Sequence, residues 1–233
     1  MLETSTKTER SDPNLGGTTN TLSRRKFFGM MGAGSALVVV AASCKKHHGP
    51  YGGAVDLGSG DTGILNYAYA LEQLEAAFYT WVIAHPYEKI SEMEKSYLTD
   101  VRDHEIAHRE FFKAALSTSA IKQLEVDFSS VDFRSRNSVL ATAKAFEDLG
   151  VSAYNGAGKL ITNPDYLTLA GKIVSVEARH AALIRDLISA GSFADMTVVD
   201  SNGLDVARSP NDVLAIAGAF IKTKLDASHL PTS

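Results

Sequence analysis

Two glutamate–histidine pairs carry the most chemistry in this sequence: Glu105 with His108 in VRDHEIAHRE, and Glu177 with His180 in VSVEARHAAL. At a spacing of i to i+3, both side chains of a pair stand over one patch of a helix surface. The apolar neighbours say which way that patch faces. Val101, Glu105, His108, Phe112 and Ala115 recur in alternating steps of four and three, as do Ile173, Glu177, His180, Ile184 and Leu187. Each pair therefore lies in the register of a buried stripe. Two further stripes bring one acid each: Leu65, Ala68, Glu72, Ala76 and Tyr79 in one, Leu140, Ala143, Glu147 and Tyr154 in the other. A single Glu-x-x-His is ordinarily a solvated helix face. Here the pair occurs twice in apolar register, and two more helices each add an acid. Four carboxylates buried without compensating charge would be costly, or would be forced to take up protons. Two divalent or trivalent cations supply that charge. Four carboxylates with two imidazoles, and no sulfur ligand, suit Fe or Mn.

Four helices must position these groups. ILNYAYALEQLEAAFYTWVI, 64–83, carries the first stripe, and Pro86 stops or bends it. The second helix is expected over 91–116 and the third over 138–161. Pro164 and Asp165 open the fourth, which runs to about Ala190 with Gly191 suited to its C-cap. Residues 117–135 have mixed patterning and read as a connection. Two short outer connections and one long middle one predict an all-α four-helix bundle with one long crossover, spanning 63–190. The remainder, 191–233, has no site-like cluster, and SPNDVLAIAGAFIKTKL, 209–225, reads as one more amphipathic helix.

Upstream of residue 63 the chain does not read as fold. Residues 1–23 are rich in Thr, Ser, Asn and Gly. SRRKFFGMMGAGSALVVVAASC then sets a basic head before an apolar run that is short for a membrane span, the pattern of an export signal. Arg24 and Arg25, followed by Phe27 and Phe28, resemble the twin-arginine signal, whose machinery exports folded proteins. AASC places Cys44 as in a bacterial lipoprotein box, with Ala41 where Leu is usual, so a lipid anchor on Cys44 and a plain cut near Ser43 are both open. Residues 1–44 are thus read as signal and lipobox, and 45–62 as a flexible Gly-, Pro- and Asp-containing tether. The expected location is the periplasm or cell envelope. One cysteine in 233 residues excludes a disulfide framework within the chain and any cysteine-rich metal site. A net charge of -4 gives no basis for a nucleic-acid partner.

The segments LNYAYALEQLEAAFY, VRDHEIAHREFF, FEDLGVSAYNGA and VEARHAALIRDLI together resemble the ferritin-like superfamily, and more closely its exported, desiccation-related ferritin-like proteins. The resemblance covers about 64–190. It implies that Glu72 and Glu147 are terminal or bridging carboxylates and that Glu105 with His108, and Glu177 with His180, fill the paired ligand positions. Glu75, one helical turn beyond Glu72, is the alternative ligand on the first helix. Glu72 is preferred because Tyr79 follows it at the spacing at which Tyr154 follows Glu147. These tyrosines are placed to hydrogen-bond the ligand carboxylates or relay an electron, or else simply to pack with satisfied hydroxyls. His104, one position off the stripe, is a boundary residue or a donor behind the ligands. The family's chemistry includes iron oxidation and storage, peroxide reduction and manganese redox reactions. Two function classes stay open: a redox centre acting on dioxygen or peroxide, and a non-catalytic envelope or stress-protection protein whose metals hold the helices together. An oligomer is compatible with either, whereas a closed storage cage fits poorly with the extensions at both ends.

Overall fold

The computed structural model describes residues 53–232. The expected export signal with Arg24 and Arg25, Cys44 and the first part of the tether lie outside the described residues. The described chain folds as α1 (Gly60–Ala84), α2 (Glu92–Leu116), α3 (Arg136–Gly158), α4 (Pro164–Ile188) and α5 (Pro210–Ala217). Two two-residue strands, β1 (Val55–Asp56) and β2 (Leu225–Asp226), complete it. α1 packs along α2, α3 along α4, and α1 also meets α3. The result is the expected helical bundle: two hairpins joined by a long crossover, with a further C-terminal helix packed on α3. No helix among the described residues is long and apolar enough to cross a membrane.

α1 is the central helix. Every residue from Asn66 to Ala76 is buried, which follows from a sequence that is apolar on nearly every face. Its two buried amides fasten the crossover. Asn66 donates to the carbonyls of Leu57 and Ser119 and accepts from the Ile121 amide at 3.0 Å; Gln73 accepts from the Leu124 amide at 2.8 Å. A connection whose regular structure is one 3-10 turn, Ser117–Ser119, is thereby held in one path, because buried amide groups must find partners. Phe78, stacked edge-on against Phe128 and Phe146, closes the core under the same loop. Local caps fix the other starts: Ser91, Ser135, Asn163 and Ser209 each accept from a backbone amide in the first turn of the helix that follows.

Three boundaries differ from expectation. The tether does not run free to residue 62: Val55–Asp56 pairs in parallel with Leu225–Asp226, and Leu57 is fully buried. The Gly- and Asp-rich stretch that looks like linker builds the entry to α1, where Asp61 accepts from the amides of Thr162 and Asn163 ahead of α4. The C-terminal helix ends at Ala217 rather than 225. Beyond it Ile221 bridges Val126 and Leu225 pairs with Val55, so buried Ile221 and half-buried Leu225 are covered by extended pairing instead of a helix. α3 ends at Gly158, short of 161.

Gly156 in α3 shows how closely the C-terminal segment lies on the bundle. A Cβ at this position would fall 1.7 Å from the Arg208 carbonyl oxygen, a backbone atom that cannot rotate away. Gly156→Ala is therefore expected to destabilise the domain by about 1–3 kcal/mol, read as a lower midpoint in urea unfolding. An unchanged midpoint would show that the segment around Arg208 is free to move off. Buried Arg185 fastens the preceding loop, forking onto Asp148 at 2.7 Å through two nitrogens and reaching Asp195 at 3.2 Å.

Candidate metal centre

All six expected ligands meet at the middle of the bundle. Glu72 comes from α1, Glu105 and His108 from α2, Glu147 from α3, Glu177 and His180 from α4. They form two overlapping groups, Glu72–Glu105–His108–Glu177 and Glu105–Glu147–Glu177–His180, each with its ligand atoms within 4.8 Å of one another. Glu105 and Glu177 belong to both. The four carboxylates are 0% exposed and His180 is 4% exposed.

The way these atoms face one another decides what the cluster is for. His108 Nδ1 lies 2.8 Å from Glu177 Oε1 and 3.5 Å from Glu72 Oε2. His180 Nδ1 lies 2.8 Å from Glu105 Oε1 and 3.5 Å from Glu147 Oε2. Despite these separations, neither Nδ1 makes an aligned hydrogen bond, and neither do both oxygens of Glu105 and Glu177 or the Oε2 atoms of Glu72 and Glu147. Buried polar atoms are almost always partnered. Here eight of them converge without partners, which is the geometry of lone pairs aimed at a shared cation. The residues present fit two metal ions, one per group.

Surrounding groups hold the ligands in that attitude. The Tyr79 hydroxyl donates to Glu147 Oε1 at 2.5 Å, and the Tyr154 hydroxyl donates to Glu72 Oε1. Each tyrosine thus reaches across to the other hairpin, fixes one oxygen of a carboxylate and leaves Oε2 turned toward the cluster. His104 Nδ1 sits 2.9 Å from His180 Nε2 with the two rings stacked. With His180 Nδ1 kept for an ion, its proton resides on Nε2 and is donated to His104. His104 itself is exposed, as its boundary position suggested.

The family model for ferritin-like domains matches residues 60–190, which contain all of these groups. The chain belongs to the ferritin-like domain family. No curated protein matches it.

In this ferritin-like domain the metal-free electrostatics are dominated by crowding. Burial, then repulsion from Glu177, holds Glu105 well above the usual carboxylate range, and the same causes raise Glu72. Burial lifts Glu147 to about 7, against the pull of His180. On His108 burial disfavours the charge but is outweighed by Glu105, Glu177 and Glu72, which raise it to about 12; Glu105, Glu147 and Glu177 do the same for His180. Glu177 alone moves down: burial opposes its charge, and the two histidines overcome it. Without metal, protons on the histidines stand in for the missing cations.

Glu72, not Glu75, is the α1 member of the clusters, in the group with Glu105, His108 and Glu177, yet Glu75 is also buried, 4% exposed. Burial first, then Glu105, Glu177, Glu147 and Glu72, hold it well above the usual range. The Tyr67 hydroxyl is buried with no hydrogen-bond partner. Nothing in the local sequence singled it out, because a tyrosine on a helix apolar all round reads as core.

Proposed function

We propose that this ferritin-like domain holds a dinuclear Fe or Mn centre and performs redox chemistry on dioxygen or peroxide. The observation carrying this reading is the set of eight buried, unpartnered ligand atoms in two groups that share Glu105 and Glu177. Held by these six residues, a pair of such ions would supply the electrons that dioxygen or peroxide accepts. The chain's own part is positional. Tyr79 and Tyr154 lock the outer oxygens of Glu147 and Glu72, His104 keeps the His180 proton off Nδ1, and the packed helices exclude bulk water.

One observation favours a second reading, a structural metal site with no turnover. The four carboxylates are fully buried and His180 nearly so, and His108, with a side chain 13% exposed, is the most accessible of the six. Metal analysis of protein recovered after export by its own signal, followed by a peroxide-consumption assay, separates the two. Two Fe or Mn per chain with metal-dependent peroxide loss supports the redox centre. Two ions and no turnover supports the structural role, and protein that binds no metal overturns both.

The setting of the site is part of the same proposal: export through the twin-arginine machinery guided by Arg24 and Arg25, in the manner of the desiccation-related branch, and anchoring through a lipid on Cys44. Export of a folded chain lets the cytoplasm choose the metal. Mass analysis of the native protein should find a lipid-modified Cys44 at its N-terminus; an unmodified terminus elsewhere rejects the anchor and leaves export standing.

A further inference from the structure

A groove outside the metal centre carries charge that the fold itself does not use. Three segments enclose it: the end of α3 and the residues after it, residues 207–211 at the start of α5, and residues 227–232 beyond β2. Its volume is about 170 Å³. The walls are fixed by hydrogen bonds of the backbone. The Arg208 amide donates to the Ser152 carbonyl at 3.0 Å, the Asn155 side chain donates to the Val206 carbonyl at 3.1 Å, and the Leu230 amide donates to the Ala227 carbonyl at 3.1 Å. A groove set in this way accepts a ligand without first having to order its own walls.

Two cations line the groove, Lys159 from the end of α3 and Arg208 from the segment before α5. None of its lining residues is acidic, in a chain whose net charge is -4. Among the described residues, neither the Lys159 ammonium nor the Arg208 guanidinium has a hydrogen bond or an ion pair. Asp205 senses the Arg208 charge without pairing with it, and Asp212, next in sequence to the α5 wall, is bonded to Ser209. A cation just past a helix end is favoured by the helix carbonyls, which accounts for Lys159. It does not account for Arg208, whose backbone is pinned while its side chain is left without a partner. The rest of the lining is largely apolar, with buried Leu160, Leu230 and Pro210 among it. A ligand for this surface therefore needs both a concentrated negative charge and a carbon portion.

A carboxylate would neutralise one of the two cations. A phosphomonoester carries a charge of about -1.5 to -2 near neutral pH and three acceptor oxygens, enough for both. We propose that this groove binds a phosphomonoester, its phosphate held by Lys159 and Arg208 and its carbon portion laid on Leu160, Leu230 and Pro210. A small phosphate ester in solution and the monoester headgroup of a lipid share this chemistry. Such binding is independent of the metal centre.

Isothermal titration of the full chain, in phosphate-free buffer at low ionic strength, compares propyl phosphate, inorganic phosphate and butyrate. One propyl phosphate should bind per chain, with inorganic phosphate and butyrate each about tenfold or more weaker, the first for want of a carbon portion and the second for want of charge. Lys159→Gln and Arg208→Gln should each weaken the ester about tenfold or more. Lys172→Gln, exposed on α4 outside the groove, should bind it as wild type does. Dihexanoyl phosphatidic acid, below its micelle-forming concentration, presents the same phosphate on a lipid. Binding tighter than that of propyl phosphate, and lost in both groove variants, identifies a lipid headgroup as the ligand; weaker binding identifies a soluble ester. No saturable binding of the ester, or ester affinity unchanged in either Lys159→Gln or Arg208→Gln, overturns the site. Inorganic phosphate or butyrate bound as tightly as the ester marks an adventitious ion only, and overturns it as well.

Discussion

Stripped of metal, the domain should lose stability as the pH rises from about 5 to about 9, and the extra stability conferred by Mn2+ or Fe2+ should grow over the same range. The metal-free trend follows from groups whose folded pKa is raised. Such a group contributes stability that is fully present below its unfolded value and is lost as the pH climbs through its folded value. Glu147, raised from 4.5 to about 7, acts in the lower part of the window, and its neighbours Glu72 and Glu105 shift in the same direction. His108 and His180, raised from 6.5 to about 12, continue the decline above neutrality. Glu177, lowered from 4.5, has the opposite sign, but its contribution is lost only as the pH falls below that value. Metal ions need these positions unprotonated, so their affinity climbs as the protons leave. A ligand bound only to the folded state stabilises it by roughly 2.7 kcal/mol at a hundredfold excess over Kd. The gap between loaded and stripped protein therefore widens with pH. Urea unfolding at several pH values measures it. Calorimetric titration in buffers of different ionisation heat should also register protons released by His108 and His180 at neutral pH. Parallel stability curves with no proton release would mean that the cations bind elsewhere.

The site was legible in the sequence because three of its four ligand-bearing helices are amphipathic. On α2 and α4 the buried stripe is narrow, so finding Glu105, His108, Glu177 and His180 within it was informative. α1 is different. It is buried on almost every face, so Glu72 and Glu75 both satisfy an inward-facing register, and periodicity alone has no power to choose between them. The repeated spacing to tyrosine did choose, and the crossed Tyr79–Glu147 and Tyr154–Glu72 hydrogen bonds give the physical reason. What escaped was non-local. Val55–Asp56 meets Leu225–Asp226 from the far end of the domain, and an extended pair of that span leaves no mark within either segment. The shortened α5 has the same origin, since Ile221 and Leu225 find partners that are invisible from their own neighbourhood.

Removing a shared carboxylate should cost far more metal than removing an unshared one. Glu72→Ala leaves the group Glu105–Glu147–Glu177–His180 whole, and Glu147→Ala leaves Glu72–Glu105–His108–Glu177 whole, so each should retain about one ion. Glu105→Ala and Glu177→Ala each take a ligand from both groups, so bound metal should fall well below one ion and the metal-dependent rise in stability should largely vanish. The two shared positions part company in the stripped protein. Glu105 is held well above the usual range, mainly by burial and by Glu177, so its removal relieves repulsion while also taking a partner from both histidines, and the metal-free fold should lose less than it does on removal of Glu177. Glu177 is the carboxylate that both histidines keep ionised. Losing it strips His108 and His180 of their common counter-charge inside the core, a change expected to cost the stripped domain a few kcal/mol. Metal content by plasma mass spectrometry and thermal unfolding with and without Mn2+ read both effects on the same samples. If all four variants lost metal equally, the carboxylates would form one undivided acidic cavity. If Glu105→Ala and Glu177→Ala destabilised the stripped fold alike, the histidines would not be leaning on Glu177, and the charge arrangement derived for the empty site would be wrong.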